Sequence, residues 1–185
     1  SLDRWQYGAD VGSKVSIQQN AGSVTPPTGF TKYLGITSLS SYTAGSTEQY
    51  NIIQHIEGFN TADLAWGTAS AATVTLSFWV RSSLTGSFSG SLVNGAGNRS
   101  YPFSYTISSA NTWTQASITI AGDTTGTWYT DNTAGINVNF NLGSGSSKLG
   151  TANAWTASEK LGVTGSVSVV GTNGATFYIT GVQLE

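Results

Sequence analysis

Trp128 and Tyr129 stand side by side in Gly126-Thr127-Trp128-Tyr129-Thr130-Asp131-Asn132, with a carboxylate and an amide just downstream. That grouping suits sugar chemistry. An aromatic face packs on the apolar C–H face of a pyranose while planar polar side chains bond its hydroxyls, the pairing of apolar platform and few placed polar groups that small-molecule sites use. Asn98 and Arg99 close the turn-rich run Asn94-Gly95-Ala96-Gly97-Asn98 and add a second amide and a guanidinium. Trp155 follows the Gly/Ser-rich stretch 143–153. The candidate ligand contacts are therefore Trp128, Tyr129, Asp131, Asn132, Asn98, Arg99 and Trp155. Trp128 has a second reading, as a plug closing one end of the fold. Trp79, Trp113, Tyr101 and Tyr105 lie in or at the start of strands and read as packing residues. Asn137, Asn139 and Asn141 form a row on one strand face. Asn is disfavoured in strands, so the row reads as a subunit interface or a wet groove.

Catalytic chemistry has less to work with. The chain carries nine carboxylates, and a glycosidase needs two flanking the scissile bond. Asp123 and Asp131 share one loop, but acids in a Gly/Thr-rich loop read as turn formers that bond their own backbone. His55 is the sole histidine. It lies between Ile53 and Ile56 and reads as a packed or hydrogen-bonded structural residue. There is no Gly-x-Ser-x-Gly elbow and no phosphate-binding glycine loop. Gly95-Ala96-Gly97 opens no helix and reads as a turn. With no Cys and one His, no zinc-type site is expected. Loop oxygens could hold a structural Ca²⁺, yet no spacing identifies one, so no metal and no cofactor is assigned. The expectation is a protein that is not an enzyme, with no catalytic residues.

Composition narrows the class. The 185 residues suit one all-β domain spanning 1–185, and only 9% are charged against about 25% in typical domains. A domain of this size buries roughly 70% of its unfolded surface and needs no staple. The net charge of −2 and scattered basic residues exclude a phosphate-tracking face for nucleic acid. No apolar run reaches the roughly 20 residues of a membrane span, so no membrane insertion is expected. The chain lacks Met even at position 1 and reads as a piece or processed product of a longer one. Few Lys, Glu or Pro residues guard its strands, a hint of oligomerisation. Asn98-Arg99-Ser100 matches the N-glycosylation pattern, a short motif that by itself assigns nothing.

The elements that must position these residues are strands. Thr73–Arg81 alternates Val74, Leu76, Phe78 and Val80 against polar residues and Trp79, the period of a half-buried strand. Similar alternation marks 14–18, the hairpin arms around Phe88–Leu92 and Tyr101–Ile107, Ala116–Ile120 and 136–142; 33–40 and 50–57 also read as strands, with a last pair at 160–170 and 176–185. Ile52, Ile53 and Ile56 break alternation, fitting a strand covered on both faces or a short helical turn. Along Phe177–Glu185, Gly181 flips the inward parity from Phe177 and Ile179 to Val182 and Leu184, the mark of a β-bulge. Nine or ten short strands without an amphipathic helix predict an all-β antiparallel sandwich of jelly-roll type.

Asp3-Arg4-Trp5, Ile53-Gln54-His55-Ile56-Glu57, Thr75-Leu76-Ser77-Phe78-Trp79-Val80, Asn111-Thr112-Trp113-Thr114, Gly126-Thr127-Trp128 with Asp131-Asn132, and Phe177–Glu185 occur in that order. In this the chain resembles the β-sandwich domains of bacteriophage tail-fibre, tailspike and other virion structural proteins. The closing segment is the most specific part. The resemblance implies a jelly roll similar to carbohydrate-binding modules, exposed on the virion surface, in a homotrimer among other virion proteins. It further implies either attachment to a host-surface glycan or a purely structural decoration of fibre or capsid. A polysaccharide-degrading domain is the remaining reading. The resemblance transfers no defined ligand residues.

Overall fold

The computed structural model describes residues 4–185; Asp3 of the Asp-Arg-Trp motif lies outside them. Two five-stranded antiparallel sheets stack face to face. The first runs β1 (Trp5–Ala9), β4 (Tyr50–Glu57), β9 (Ala134–Asn141), β6 (Gly86–Asn94), β7 (Ser100–Ile107). The second runs β2 (Val15–Gln19), β3 (Leu34–Ser38), β12 (Thr176–Leu184), β5 (Val74–Ser82), β8 (Thr114–Ile120). A short parallel pair, β10 (Leu149–Gly150) with β11 (Gly162–Val163), stands apart. Among the described residues there is no α-helix, only 3₁₀ turns such as Gly58–Asn60 and Ala62–Leu64. The all-β antiparallel sandwich read from the sequence is the fold.

Alternation decides which side of each strand is buried. In β5, Val74, Leu76, Phe78 and Val80 are buried and the residues between them are half-buried. Phe78 meets Tyr105 and Phe140 of the opposite sheet edge-on, at centroid distances of 5.0 and 4.9 Å. Phe88 and Phe177 stack across the layers at 6.1 Å. Each such fully buried side chain contributes about 1.5–3 kcal/mol by leaving water. β4 is a strand throughout rather than a helical turn, with Ile52 buried and Ile53 and Ile56 half-buried on opposite faces.

The bulge sits where Gly181 marks it. Pairing of β12 with β5 runs to Thr180↔Trp79 and resumes at Gln183↔Ser77. Gly181 takes φ 60°, and a Cβ there would lie 2.5 Å from the Phe30 ring. Glycine is thus required twice over, by backbone conformation and by space.

Two expectations are corrected. Of the strand expected over 160–170, only Gly162–Val163 pairs. Its start instead lies over the outer face of the first sheet, where a Cβ on Gly162 would meet Ser89 Oγ at 2.6 Å and Asn141 Nδ2 at 2.8 Å, while Val169 and Val170 at its end are buried in the main core. That close approach changes the Asn row. Asn137 stays half-buried, but Asn139 and Asn141 are buried. The Asn141 amide donates to Ser89 and Ser166 and its carbonyl accepts from the N–H groups of Gly143 and Ser144. Asn139 accepts from Asn51 at 2.7 Å. The amides of Asn139 and Asn141 serve the chain's own backbone and side chains, not a wet groove.

Candidate functional site at the loop end

At one end of the sandwich β4, β6 and β8 finish and β5, β7 and β9 begin. The loops between them are knitted by backbone bonds: Gly58 N–H to Thr133 O (2.8 Å), Phe59 N–H to Asp131 O (2.9 Å) and Gly67 N–H to Asp123 O (2.7 Å). Three indoles fill the space beneath. Trp66, buried, meets Trp128 and Trp155 edge-on at 4.8 and 5.4 Å, and those two meet each other at 5.4 Å. Trp155 also leans on Tyr101 at 5.2 Å. Each indole N–H is held by a carbonyl: Trp66 by Ala72, Trp128 by Thr125, Trp155 by Ala121. The rings lock the loops to the core.

The polar part of the site is equally constrained. Arg99 forms a bidentate pair with Asp123, Nε to Oδ2 at 2.6 Å and Nη2 to Oδ1 at 2.7 Å. Burial pushes the Asp123 carboxyl up, but hydrogen bonds from Arg99 and Thr125 and the guanidinium charge prevail and hold it below the ordinary carboxylate range. Asn94, fully buried, ties this loop together. Its carbonyl accepts from the N–H groups of Asn98 and Arg99, and its amide donates to Asn98 Oδ1 and Thr127 O. Asp131 accepts from the N–H and hydroxyl of Thr133, which draws its carboxyl below the usual range. Both acids of the loop are engaged in building it.

Outside this framework lies a recess of about 200 Å³ walled by Trp66, Trp128, Tyr129, Ile136 and Ala65, with hydroxyls of Thr61, Thr68 and Thr130 at its margin. It is smaller than the roughly 300–1,000 Å³ of drug-sized pockets, a scale suited to one sugar ring at a time. Tyr129 is 38% exposed and Phe59 66% exposed, and the backbones of their loops touch at Gly58.

The structure brings Trp128, Tyr129, Trp155, Asn98 and Arg99 to this one end, with Asn132 exposed on the same loop. Trp128 and Tyr129 line the recess; Arg99, Asn98 and Asp131 brace it; Trp155 packs behind it. Trp66, Phe59 and Asn94 escaped the sequence reading. Trp66 sits in an aperiodic Gly/Ala/Thr run and Asn94 in what reads as a plain turn. His55 lies elsewhere, exposed on the outer face of the first sheet, with ring nitrogens 2.5 Å from Asn137 Oδ1 and 2.8 Å from Gln6 Oε1. It is hydrogen-bonded rather than packed.

No protein-family model matches the chain. No curated protein sequence matches it either. Solved structures do. A putative sugar binding protein from Bacteroides thetaiotaomicron superposes at TM-score 0.54 and 11% identity, over 98% of this chain and 86% of that one. The enzymatically active domain of bacteriophage CBA120 tailspike protein 4 superposes at TM-score 0.53 and 13% identity, over 100% of this chain and 19% of that one. A family 11 carbohydrate-binding module from Clostridium thermocellum follows at TM-score 0.49 and 15% identity, over 100% of this chain and 89% of that one. This chain thus spans about a fifth of the tailspike chain. At these identities the likeness is one of fold alone, an all-β sandwich shared with the first two.

Proposed function

We propose that this chain is a noncatalytic β-sandwich displayed on the surface of a phage virion, in a tail fibre or spike, where it helps attach the particle to a host-surface glycan. The observation that carries the glycan reading is the recess at the loop end: a braced, ring-sized hollow walled by Trp66, Trp128 and half-exposed Tyr129, on a sandwich whose fold is shared with a putative sugar binding protein. Trp128, Tyr129 and Asn132 are the proposed contacts, with Asn98, Arg99, Asp131 and Trp155 holding them in place. The likeness to a tailspike domain and the motifs of the sequence support the virion setting. The noncatalytic reading is supported by the engagement of Asp123 with Arg99 and of Asp131 with Thr133. The homotrimer follows from the resemblance to fibre and spike domains, and the sheet edges support association with further copies in general. None of β1, β2 and β8 carries a charged residue or a proline, so little guards them against neighbours, whereas the start of β7 is covered by the chain's own Asn153 and Thr156.

The test is adsorption. Particles carrying Tyr129→Ala should adsorb less to host cells, and the isolated chain should lose its signal on a glycan array. Unchanged adsorption together with a blank array for the unmodified chain would favour a purely structural decoration. That second reading draws on the inward-tied indole N–H groups, which leave those three rings no donor to offer a ligand. Shortened chains after incubation with host polysaccharide would point instead to an enzyme. A solution mass three times 19.2 kDa is the expected result for the trimer.

A further inference from the structure

Of the seven cationic side chains, five have a partner. Lys14 lies over the Tyr42 ring, Arg81 bonds Asn111 O, Arg99 pairs with Asp123, Lys148 with Glu159, and Lys160 bonds Ser147 O. Arg4 and Lys32 make no ion pair, side-chain hydrogen bond or cation–π contact among the described residues, and both line the same cavity. That cavity holds about 280 Å³ and opens between the two sheets on the side where β1 faces β2 and β3. Alternation turns Gln54 of β4 and Gln19 of β2 into the interlayer space from opposite sheets. Leu34 and Ile179 floor it, and Trp5 walls it with an indole that, unlike those of Trp66, Trp113, Trp128 and Trp155, donates to no protein acceptor among the described residues. The bulge at Gly181 swings the end of β12 along its rim. Among the described residues no acidic side chain lines it.

We infer that this cleft is a second binding site and that it takes a carboxylate-bearing sugar residue. Two cations at the mouth, neither paired among the described residues, set the charge of the ligand, because charge-assisted bonds to a carboxylate satisfy both. Two inward amides match the donors and acceptors of ring hydroxyls. The Trp5 ring supplies the apolar face. The inference rests on the glycan-binding reading and narrows it, assigning acidic saccharide to the interlayer cleft and leaving the loop-end recess to an uncharged ring.

The test is titration of the 185-residue chain with a galacturonic acid trisaccharide, with a galactose trisaccharide and with sodium acetate, followed by calorimetry. Arg4→Gln/Lys32→Gln and Tyr129→Ala variants are run in parallel, with melting curves to show that each is folded. The acidic trisaccharide should bind, more weakly as salt rises. It should lose about tenfold or more in affinity in the double variant, as removal of charged hydrogen bonds implies, and retain it in Tyr129→Ala. Binding of the galactose trisaccharide alone, lost in Tyr129→Ala, would overturn the cleft assignment and leave the attachment reading standing. Acetate binding as tight as the trisaccharide would also overturn it, reducing the cleft to a general anion site. Binding of no saccharide at all would remove both.

Discussion

Arg99 grips both carboxylate oxygens of Asp123 across 24 residues of chain, and Asp123 is only 2% exposed. The loop that bears Trp128 is anchored through this pair to the end of the β6–β7 hairpin. Arg99 itself is flattened under Gly126, where a Cβ would stand 2.7 Å from its Cγ and where φ is +82°.

Asp123→Asn should therefore destabilise the fold by about 3 kcal/mol, the low end for stranding one charge of a buried pair, since Arg99 keeps some access to water. The pH dependence has a definite sign. The folded pKa of Asp123 lies below its ordinary value, so the pair stabilises fully above about pH 4 and its contribution fades as pH falls through the lowered folded value. Denaturant titrations at pH 7 and pH 3 should show the gap between parent and variant shrinking in acid. A gap that stays constant would refute the assignment.

Tyr105→Phe should be neutral or stabilising by up to about 1 kcal/mol. The Tyr105 hydroxyl is buried without a hydrogen-bond partner, and burial pushes its pKa far up. Removing an unpaired polar atom relieves a desolvation cost while the ring keeps its contacts with Phe78 and Phe88. Thermal melting decides it, and a loss above 1 kcal/mol would mean that the hydroxyl is paired.

Gly181→Ala should cost about 1–2 kcal/mol, because a left-handed backbone penalises any Cβ and the Phe30 ring must give way. Phe30 is a third exposed and can move, which caps the penalty. Chemical denaturation measures this, and no loss would mean that the bulge slips to another register.

Tyr129→Ala and Trp66→Ala should separate recognition from scaffold. Tyr129 is exposed, so its loss should leave the melting temperature within a degree or two, as surface changes do, while weakening glycan capture. Trp66→Ala should cost about 3–5 kcal/mol, as truncation of a buried aromatic does. Equal destabilisation by both would show that Tyr129 is part of the packing.

Strand periodicity made most of the fold legible. Val74 to Val80, Tyr101 to Ile107 and Ile136 to Phe140 each announced their buried side by alternation, and Gly181 announced its bulge by breaking it. The segment at 160–170 was misread because Val163, Val167 and Val169 look like strand residues. Val163 follows Gly162 across the outer sheet face, at a close approach that glycine permits, whereas Val167 and Val169 turn into the main core without pairing as a strand. Asn139 and Asn141 likewise read as surface because nothing local reveals that distant chain will roof them. At the loop end the aromatic and polar residues stood out by type. Their brace, Asn94, and the central ring, Trp66, did not, since both act on segments far away in sequence. The cleft under Arg4 and Lys32 was invisible for the same reason, as it exists only once two sheets are stacked.

The position of β12 sets the order in which this protein can be made. It is the middle strand of its sheet, with β3 on one side and β5 on the other. A nascent chain leaving the ribosome therefore carries two half-sheets that cannot join until residues 176–184 emerge. Both halves wait with unpaired edges, a state prone to capture by neighbouring chains, and the pairing that ends it spans most of the sequence, which slows it.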